Sequence, residues 1–310
     1  MKILVIFTGG TIGSTVSGEY ISTDGNKPYV ILEKYNRTYP NSIEWVTDSP
    51  YTILSENVTC KTYGKLFESI KEGLKGGFDG IIITHGSDTL QYSAAFLSMI
   101  KDTWQIPIML VSSNYVLEDE RANGMENFRC AVDFIQHRRG QGVFVPYANR
   151  DEECKIHWGF RLMDHIPYSD YLFSMNNGCY GFYRGNEYYE GPDKDLKIPD
   201  VFDFVPKNLG EGTGILRLDV CPGMKYPMDL DDVKVILLQA YHGGTICVES
   251  KEFVTFIAKA KSMNIPVWLV GANKGTEYDS CKVYKDLDVI VLPEISPVYA
   301  YIRLWLANLN

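Results

Sequence analysis

Two short stretches of the sequence combine hydroxyl, carboxylate and glycine residues that could do chemistry together. Residues 8–13 read Thr-Gly-Gly-Thr-Ile-Gly, and residues 84–89 read Thr-His-Gly-Ser-Asp-Thr. A side-chain hydroxyl becomes a nucleophile only when a neighbouring group activates it, and glycines let backbone N–H groups approach a ligand closely. The second stretch places Ser87 beside Asp88, so these two residues are candidates for a catalytic pair.

Both stretches follow short apolar runs, and similar runs recur along the chain. Continuous apolar runs without alternation are typical of strands covered on both faces, as in parallel sheets. Helical patterns lie between the runs, and the last helix has a clear start, with Ser296 as N-cap and Pro297 at its first position. This alternation predicts an α/β fold with right-handed crossovers. The predicted strands are 2–8, 80–85, 107–112, 233–241, 266–271 and 288–292.

Polar or glycine-containing segments follow most of these predicted strands. Ser112, Ser113 and Asn114 come at the end of the third run, and residues 242–245 (His-Gly-Gly-Thr) follow the fourth. Ligands of open α/β sheets bind outside the carboxyl ends of the strands, where helix N-termini favour anions. We therefore expect one edge of the molecule to bind a small polar or anionic compound.

The sequence predicts two domains. Residues 142–163 are interpreted as a β-hairpin with a polar tip at 149–153, and the Gly-, Pro- and charge-rich residues 185–212 as a linker. We predict an N-terminal α/β catalytic domain at 1–184 and a smaller C-terminal α/β domain at 213–310. The tyrosine-rich segment 168–189 is interpreted as an oligomer interface, where tyrosine is common.

Each motif also has a structural interpretation that the sequence leaves open. Residues 8–13 could form a plain strand-to-helix turn, and Ser87 or Asp88 could cap the helix that begins near Leu90. His85 is interpreted as a structural residue at a strand end. Nucleotide binding is not indicated, because residues 8–13 do not match G-x-G-x-x-G and no Walker-type lysine follows them.

Taken together, the two motifs resemble those of the bacterial-type L-asparaginase/glutaminase family, which are written T-G-G-T-I and H-G-T-D-T. Residues 55–57 (Ser-Glu-Asn) resemble its substrate-binding serine segment, and residues 120–127 (ERANGMEN) resemble a stretch written S-A-D-G-x-x-N. The resemblance follows the same order along essentially the whole chain. It implies a two-domain asparaginase-like fold with a larger, mostly parallel N-terminal sheet that carries a β-hairpin.

The resemblance also implies a reaction. In this family a threonine attacks the side-chain amide of asparagine or glutamine, ammonia leaves, and water releases the acid from the acyl-enzyme. The resemblance implies that Thr11 is the nucleophile and that Tyr20 is the activating tyrosine. It also implies that Ser87 and Asp88 form a second catalytic pair. The expected substrate-binding residues are Ser55, Glu56, Gly10, Gly86 and Ser113.

Three departures from the family pattern bear on activity. Ser87 replaces a threonine, which keeps the hydroxyl but loses the methyl group that limits its rotamers. Where the family has G-x-R-x-x-K, residues 159–164 read Gly-Phe-Arg-Leu-Met-Asp, so Asp164 stands at the lysine position. If the hairpin is aligned differently, one of three other residues points into the site instead: Lys155, Arg161 or His165. The third departure is in residues 242–245, which lack an asparagine that the family often has in this loop.

Asp164 separates three hypotheses that the sequence leaves open. An aspartate beside Asp88 would bring two carboxylates together, so that one holds a proton with a raised pKa. The leading hypothesis is an amidohydrolase acting on L-asparagine or a related amide. The others are an amino-acid-binding or regulatory homologue with weak or no turnover, and an amidohydrolase with a changed substrate.

Composition and charge restrict the class of partner. The chain has 310 residues, of which 45% are hydrophobic and 22% charged, and its formal net charge of −9 argues against nucleic acid or anionic membrane. Seven cysteines without a Cys-x-x-Cys pair are typical of reduced thiols, and the first apolar run is too short for a signal peptide. We expect a cytoplasmic homodimer or homotetramer with a small amino-acid amide as substrate and no metal or cofactor.

Overall fold

The chain forms two compact units, residues 1–211 and 212–310. The structure is a computed structural model, and it describes residues 1–10, 12, 14–17, 20–23, 29–198, 200–206, 209–210, 212–272 and 278–309. Both units contain a β-sheet with helices, as the sequence predicts.

The first unit contains an eight-stranded mixed sheet. Its strands are β1 (Lys2–Phe7), β4 (Glu44–Asp48), β5 (Gly80–Thr84), β6 (Pro107–Val111), β7 (Gly142–Ala148), β8 (Cys154–Trp158), β9 (Gly181–Arg184) and β10 (Glu187–Glu190). Strands β4, β1, β5, β6 and β7 are neighbours in this order and run parallel. Strands β8, β9 and β10 extend the sheet in antiparallel pairs. A separate two-stranded ribbon consists of β2 (Ser14–Ser17) and β3 (Tyr20–Thr23).

The described residues of this unit include four α-helices. They are α1 (Val30–Thr38), α2 (Cys60–Leu74), α3 (Leu90–Ser98) and α4 (Gly124–Gln136). Helix α2 begins with a capping box, in which the backbone N–H of Thr59 donates to the Thr62 hydroxyl at 2.8 Å. Its apolar residues recur at helical spacing and are buried, as expected for a helix that covers one face of a sheet.

The central strands are fully buried, which explains their continuous apolar sequence. Every residue of β5 and β6 is buried, and β1 is buried from its second residue onward. These strands pair in register, with Phe7 opposite Thr84 and Thr84 opposite Val111. The polar residues that follow the three strands therefore emerge at the same level of the sheet.

The predicted hairpin is present as β7 and β8, but two neighbouring interpretations need correction. Residues 187–190, which we assigned to the linker, form edge strand β10 because they pair with β9. Of the tyrosines that we interpreted as an interface, Tyr180 and Tyr183 are buried inside the unit. The phenol of Tyr183 donates to Asp133 at 2.6 Å, and that of Tyr180 donates to the carbonyl of Arg139 at 2.8 Å. Aromatic packing within the chain accounts for both side chains.

Where the structure describes it, the second unit is a four-stranded parallel sheet with three α-helices. Its elements are β11 (Ile215–Asp219), β12 (Val235–Gln239), β13 (Val267–Val270), β14 (Val289–Leu292), α5 (Lys251–Ser262), α6 (Lys282–Asp286) and α7 (Pro297–Ala307). The Ser296 hydroxyl accepts the backbone N–H of Tyr299, which confirms the predicted start of the last helix. Across the ranges given above, no helix combines the length and apolar character needed to span a membrane.

The loops after β1 and β5 approach each other so closely that only glycine fits between them. A Cβ atom on Gly10 would lie 2.3 Å from the backbone nitrogen of Gly86, and Gly10 has a positive φ of 78°. A Cβ atom on Gly86 would lie 2.5 Å from the Ser55 hydroxyl oxygen. Two glycines therefore allow three loops to meet at the carboxyl ends of β1, β4 and β5.

We expect Gly10→Ala to lower the free energy of unfolding by about 1–3 kcal/mol, because the new methyl group overlaps backbone atoms and the positive φ disfavours alanine. Denaturant unfolding measures the change. Gly212→Ala is the control, because a Cβ atom there has nothing within 4 Å. Equal unfolding of Gly10→Ala and the wild type would contradict the close approach.

His157 on β8 is fully buried, and burial is the main reason why its pKa falls to about 3. The positive charge of Lys155 lowers the pKa further. Its Nδ1 atom hydrogen-bonds with the Ser174 hydroxyl at 2.8 Å, whereas Nε2 has no partner in the described part of the chain. The ring is therefore neutral in the folded protein, although it binds a proton when the chain unfolds in mild acid.

The lowered pKa of His157 predicts a loss of stability in acid. Below the ordinary pKa of 6.5 the unfolded chain binds a proton that the folded chain does not, so stability falls as the pH falls towards 3. The loss from this residue reaches roughly 3 kcal/mol at pH 4. Denaturant unfolding at pH 7 and pH 4 should show a smaller difference for His157→Gln than for the wild type.

The exposed His137 provides the control. His137→Gln should retain the wild-type difference between the two pH values. A His157→Gln variant with the same acid sensitivity as wild type would show that His157 is not held neutral.

Candidate active site

A cleft of about 460 Å³ in the first unit contains the candidate catalytic pair. It lies where the chain leaves β5, β6 and β7, at the edge that the sequence predicted. Its lining residues are Ser87, Asp88, Gln91, Tyr92, Asn114, Tyr147, Asp164, His165, Ile166, Pro167, Tyr168, Ser169 and Asp170. The lining therefore combines the turn after β5 and the start of α3 with Asn114 after β6, Tyr147 of β7 and the loop after β8.

Ser87 and Asp88 occupy the turn between β5 and α3. Ser87 is half-buried and Asp88 is exposed, so both can meet a ligand. The N-cap residue of α3 is Thr89, and no side chain caps the helix there. The hydroxyl of Thr89 instead donates to the carbonyl of Ser55 at 2.9 Å. Helix capping therefore does not account for the side chains of Ser87 and Asp88.

The predicted substrate-binding loops meet beside this turn. Ser55 is buried at the start of a short 3₁₀ helix, in contact distance of Gly86, whereas Glu56 is exposed. The backbone N–H of Gly10 donates to the carbonyl of Ile53 at 3.2 Å, so it links the two loops. The structure thus brings Gly10, Ser55 and Gly86 together and leaves Glu56 at the surface.

Ser113 lies behind the cleft and does not line it. It is fully buried, and its hydroxyl donates to the carbonyl of Tyr115. The next residue, Asn114, lines the cleft, and its amide donates to Asp170 at 3.2 Å. The direction of the side chains after β6 decides which of these two residues lines the cleft, and the sequence does not reveal that direction.

Two predicted catalytic residues cannot be placed in the cleft. Thr11 lies outside the described residues. Tyr20 begins strand β3, whose backbone is described, but its side chain lies outside the described part of the chain. Their roles therefore stay predictions that rest on the sequence motif.

His85 has the structural role that the sequence predicted. It is 1% exposed, and its Nδ1 atom lies 2.7 Å from the carbonyl oxygen of Gly86. Because a carbonyl can only accept, Nδ1 carries the proton, and Nε2 accepts from the Ser93 hydroxyl at 2.8 Å. Burial lowers the pKa of His85, so the ring stays neutral and holds the turn through these two hydrogen bonds.

Asp164 lines the cleft, whereas Lys155 and Arg161, two of the three alternatives at the hairpin, do not. The Tyr92 hydroxyl donates to Asp164 at 3.0 Å. Lys155 pairs with Glu152 at 3.1 Å, and Arg161 lies 3.6 Å from Asp193. Of the alternatives weighed for the hairpin, only His165 joins Asp164 in the cleft lining.

The segment that carries Asp164 and His165 is held by β7. An isolated bridge between Leu162 and Ser174 closes its base. The Tyr147 hydroxyl donates to the carbonyl of Asp170 at 2.8 Å, and Arg150 pairs with the Asp170 carboxylate at 2.9 Å. Burial pushes the pKa of Asp170 upward, but hydrogen bonds from Asn114 and Arg150 outweigh it, so the pKa lies below its usual value.

Two cleft residues outside the predicted site have a polar atom without a partner. In the described ranges, neither Oε1 of Gln91 nor Nε2 of His165 has a hydrogen-bond partner, and both atoms are shielded from solvent. Gln91 donates through Nε2 to the carbonyl of Asp88 at 3.1 Å, which orients its side chain. Only the fold shows that these side chains share a cleft, since they lie far apart along the chain.

The described residues include no group of three or more His, Cys, Asp or Glu side chains that could hold a metal ion. The cleft itself offers hydroxyl, imidazole and carboxylate groups. A serine hydroxyl beside these groups suits proton transfer during nucleophilic attack on a carbonyl or amide carbon.

Residues 2–166, more than half of the 310-residue chain, match a family model described as "Asparaginase, N-terminal". A glutamyl-tRNA(Gln) amidotransferase subunit from Methanosphaera stadtmanae is 24% identical, over 99% of this chain and 72% of its own length. The protein of the same name from Methanococcus vannielii is 31% identical, over 57% of this chain and 42% of its own length. In the latter match, the chain spans less than half of the relative.

Solved asparaginases share the fold. The thermostable L-asparaginase from Thermococcus kodakarensis superimposes with a TM-score of 0.76 at 22% identity, covering 98% of this chain and 92% of that chain. L-asparaginase I from Vibrio cholerae gives a TM-score of 0.76 at 19% identity, covering 99% and 92%. These likenesses confirm the predicted α/β asparaginase-like fold. With the family match over more than half of its length, the chain belongs to the asparaginase family.

Proposed function

We propose that this chain hydrolyses the side-chain amide of L-asparagine, or of a related amino acid, to the acid and ammonia. The observation that carries the proposal is the meeting of the loops after β1, β4 and β5 at Gly10, Ser55 and Gly86, beside the Ser87–Asp88 pair. Each of these loops contains one of the family-like motifs. Their contact supports a single site built from all three.

The reaction begins with a threonine hydroxyl, which we assign to Thr11. Its oxygen bonds to the amide carbon and its proton leaves, which places negative charge on the former carbonyl oxygen. Collapse of this intermediate breaks the C–N bond, and the nitrogen takes a proton to leave as ammonia. Water then adds to the ester, the bond to Thr11 breaks, and the hydroxyl recovers its proton.

The charges of the cleft support an amino-acid substrate. Asp88 presents an exposed carboxylate, which suits the α-ammonium group of an amino acid. Ser55 lies beside the same turn, and we assign it to the α-carboxylate. The archaeal relatives are named for glutamyl-tRNA(Gln), so the related amides to examine include glutamine.

A second candidate function is amino-acid binding with little or no turnover. The observation that favours it is the cleft lining, which contains neither lysine nor arginine among the described residues and places Asp164 near the Ser87–Asp88 pair. A lysine beside a catalytic hydroxyl stabilises negative charge and transfers protons, and an aspartate cannot replace its positive charge.

Ammonia release from L-asparagine and L-glutamine tests the proposal. We expect the wild type to turn over one of the two amides, and Thr11→Ala to lower kcat by about 10³-fold or more because the nucleophile is lost. Ser87→Ala should lower kcat by about 10²-fold, the usual contribution of a proton-transfer group. Ser262→Ala, at an exposed position on α5, should retain wild-type activity.

Three results would contradict parts of the proposal. Full activity of Thr11→Ala would show that Thr11 is not the nucleophile. Binding of asparagine by calorimetry without ammonia release would favour the binding protein. A wild type without turnover whose Asp164→Lys variant gains activity would identify the missing lysine as the reason.

A further inference from the structure

We propose that a cavity of the second unit is a thiol-modification site, at which Cys221 and Cys247 form mixed disulfides with an anionic small-molecule disulfide. The cavity has a volume of about 640 Å³, and all of its lining residues belong to the second unit. The site therefore does not depend on the hydrolysis proposed for the first unit.

The two cysteines of this cavity are accessible, unlike the other cysteines of the chain. Cys221 and Cys247 are exposed and line the cavity, whereas the remaining five cysteines are buried. A small-molecule disulfide must reach the sulfur atom before it can react, so exposure selects which thiols are modified. The fold thus presents two thiols to small molecules, and both belong to the same cavity.

The second sheet brings both thiols to the same edge. Strands β11 and β12 are parallel neighbours in register, so the segments that follow them begin at the same level. Cys221 comes two residues after the end of β11. After β12 the chain turns back, because the N–H of Tyr241 donates to the carbonyl of Thr245 at 3.0 Å. Cys247 follows this turn and precedes α5.

The side chain of Cys247 points away from the core. Its neighbours Ile246 and Val248 are buried in the core of the second unit. The N–H of Ile246 donates to the Tyr284 hydroxyl at 3.0 Å, which fixes the segment. Because both flanking side chains occupy the core, the thiol between them faces the cavity.

Tyr226 forms a wall of the cavity close to both thiols. Its ring stacks on Phe256 of α5, with ring centroids 4.9 Å apart. Burial raises the pKa of Tyr226, and negative charges on Cys247, Tyr241 and Cys221 would raise it further. Each thiol is therefore near enough to act on the same phenol. A ligand bonded to either sulfur can lie against this ring.

The charges of the lining favour an anionic ligand. Lys225 and Lys251 contribute two positive charges, and Glu252 contributes one negative charge. Ser250 also lines the cavity, and its hydroxyl accepts the N–H of Phe253 at 3.0 Å as the N-cap of α5. The positive end of the helix dipole thus lies at the cavity. Carboxylates of the ligand can pair with the lysines, while its methylene groups contact the methionine and tyrosine side chains of the lining.

The modification is a balanced thiol–disulfide exchange. A cysteine thiol of the cavity loses its proton, and the resulting thiolate attacks one sulfur of the small-molecule disulfide. A new S–S bond forms and the original S–S bond breaks, with its electron pair leaving on the other sulfur. That sulfur takes up a proton and departs as a free thiol. The cysteine is oxidised, half of the small molecule is reduced, and the other half stays in the cavity.

Peptide mapping by mass spectrometry, after incubation of the folded protein with glutathione disulfide, tests which thiols react. We expect glutathione adducts on Cys221 and Cys247, and none on the five buried cysteines until the chain is unfolded in urea. Cys221→Ser and Cys247→Ser should each keep the adduct at the remaining exposed thiol. Adducts on the buried cysteines at the same rate, or no adduct on either exposed thiol, would overturn the proposal.

The charge of the reagent tests the role of the lysines. After division by each reagent's rate with the unfolded chain, we expect glutathione disulfide to react about tenfold faster than the cationic disulfide cystamine. Lys225→Gln combined with Lys251→Gln should remove most of this preference. Lys259→Gln changes an exposed lysine of α5 outside the lining and should retain it. A preference that survives the loss of both lining lysines would contradict an anion-binding cavity.

Saturation of the rate distinguishes a binding site from thiols that are only exposed. If the reagent binds in the cavity before it reacts, the rate levels off as its concentration rises. S-methylglutathione carries the same carboxylates but no reactive sulfur, so it should occupy the cavity and slow the modification. This protection should disappear in the variant that lacks Lys225 and Lys251. A rate that rises linearly with glutathione disulfide, without protection by S-methylglutathione, would reject the site.

Discussion

The close approach of the loops after β1 and β5 is the constraint on which the candidate site depends. Strands β1 and β5 are parallel neighbours in register, so their loops begin at the same level. The Thr8 hydroxyl donates to the carbonyl of Thr84 at 2.6 Å, and the two loops then meet at Gly10 and Gly86. His85 fixes the second loop from below through both ring nitrogens. A larger side chain at either glycine would separate the two motifs.

The other half of the cleft is built differently. The segment from Leu162 to Ser174 is not part of the parallel sheet, and its position depends on hydrogen bonds to residues of β7 and its turn. The amide of Asn149 donates to the carbonyl of Leu172 at 3.1 Å, and its oxygen accepts the Leu172 N–H at 2.8 Å. The cleft therefore combines one wall fixed by strand register with one wall fixed by side-chain contacts.

This difference explains how much could be predicted from the sequence. Strand ends can be predicted because apolar runs stop at polar residues. The fold class was therefore predicted correctly, and Ser87 and Asp88 follow the end of β5, as the sequence predicts. The second wall depends on which side chains of an irregular segment turn inwards, and no periodicity encodes that. His165 was therefore only one of several alternatives, Gln91 was not selected, and Asn114 was passed over for its neighbour Ser113. Strand β10 was missed because it has only four residues and lies directly before the Gly-, Pro- and charge-rich residues 191–195.

The carboxylates of the cleft have a consequence for the end of the catalytic cycle. Amide hydrolysis turns a neutral side chain into an anion, so the product carries one more negative charge than the substrate. Asp88 and Asp164 line the cleft that would hold it, and like charges at short range repel. The neutral side-chain amide of the substrate would not experience this repulsion, but the side-chain carboxylate of the product would. Hydrolysis would thus weaken the binding of its own product, and Asp88 and Asp164 would promote product release without any movement of the chain.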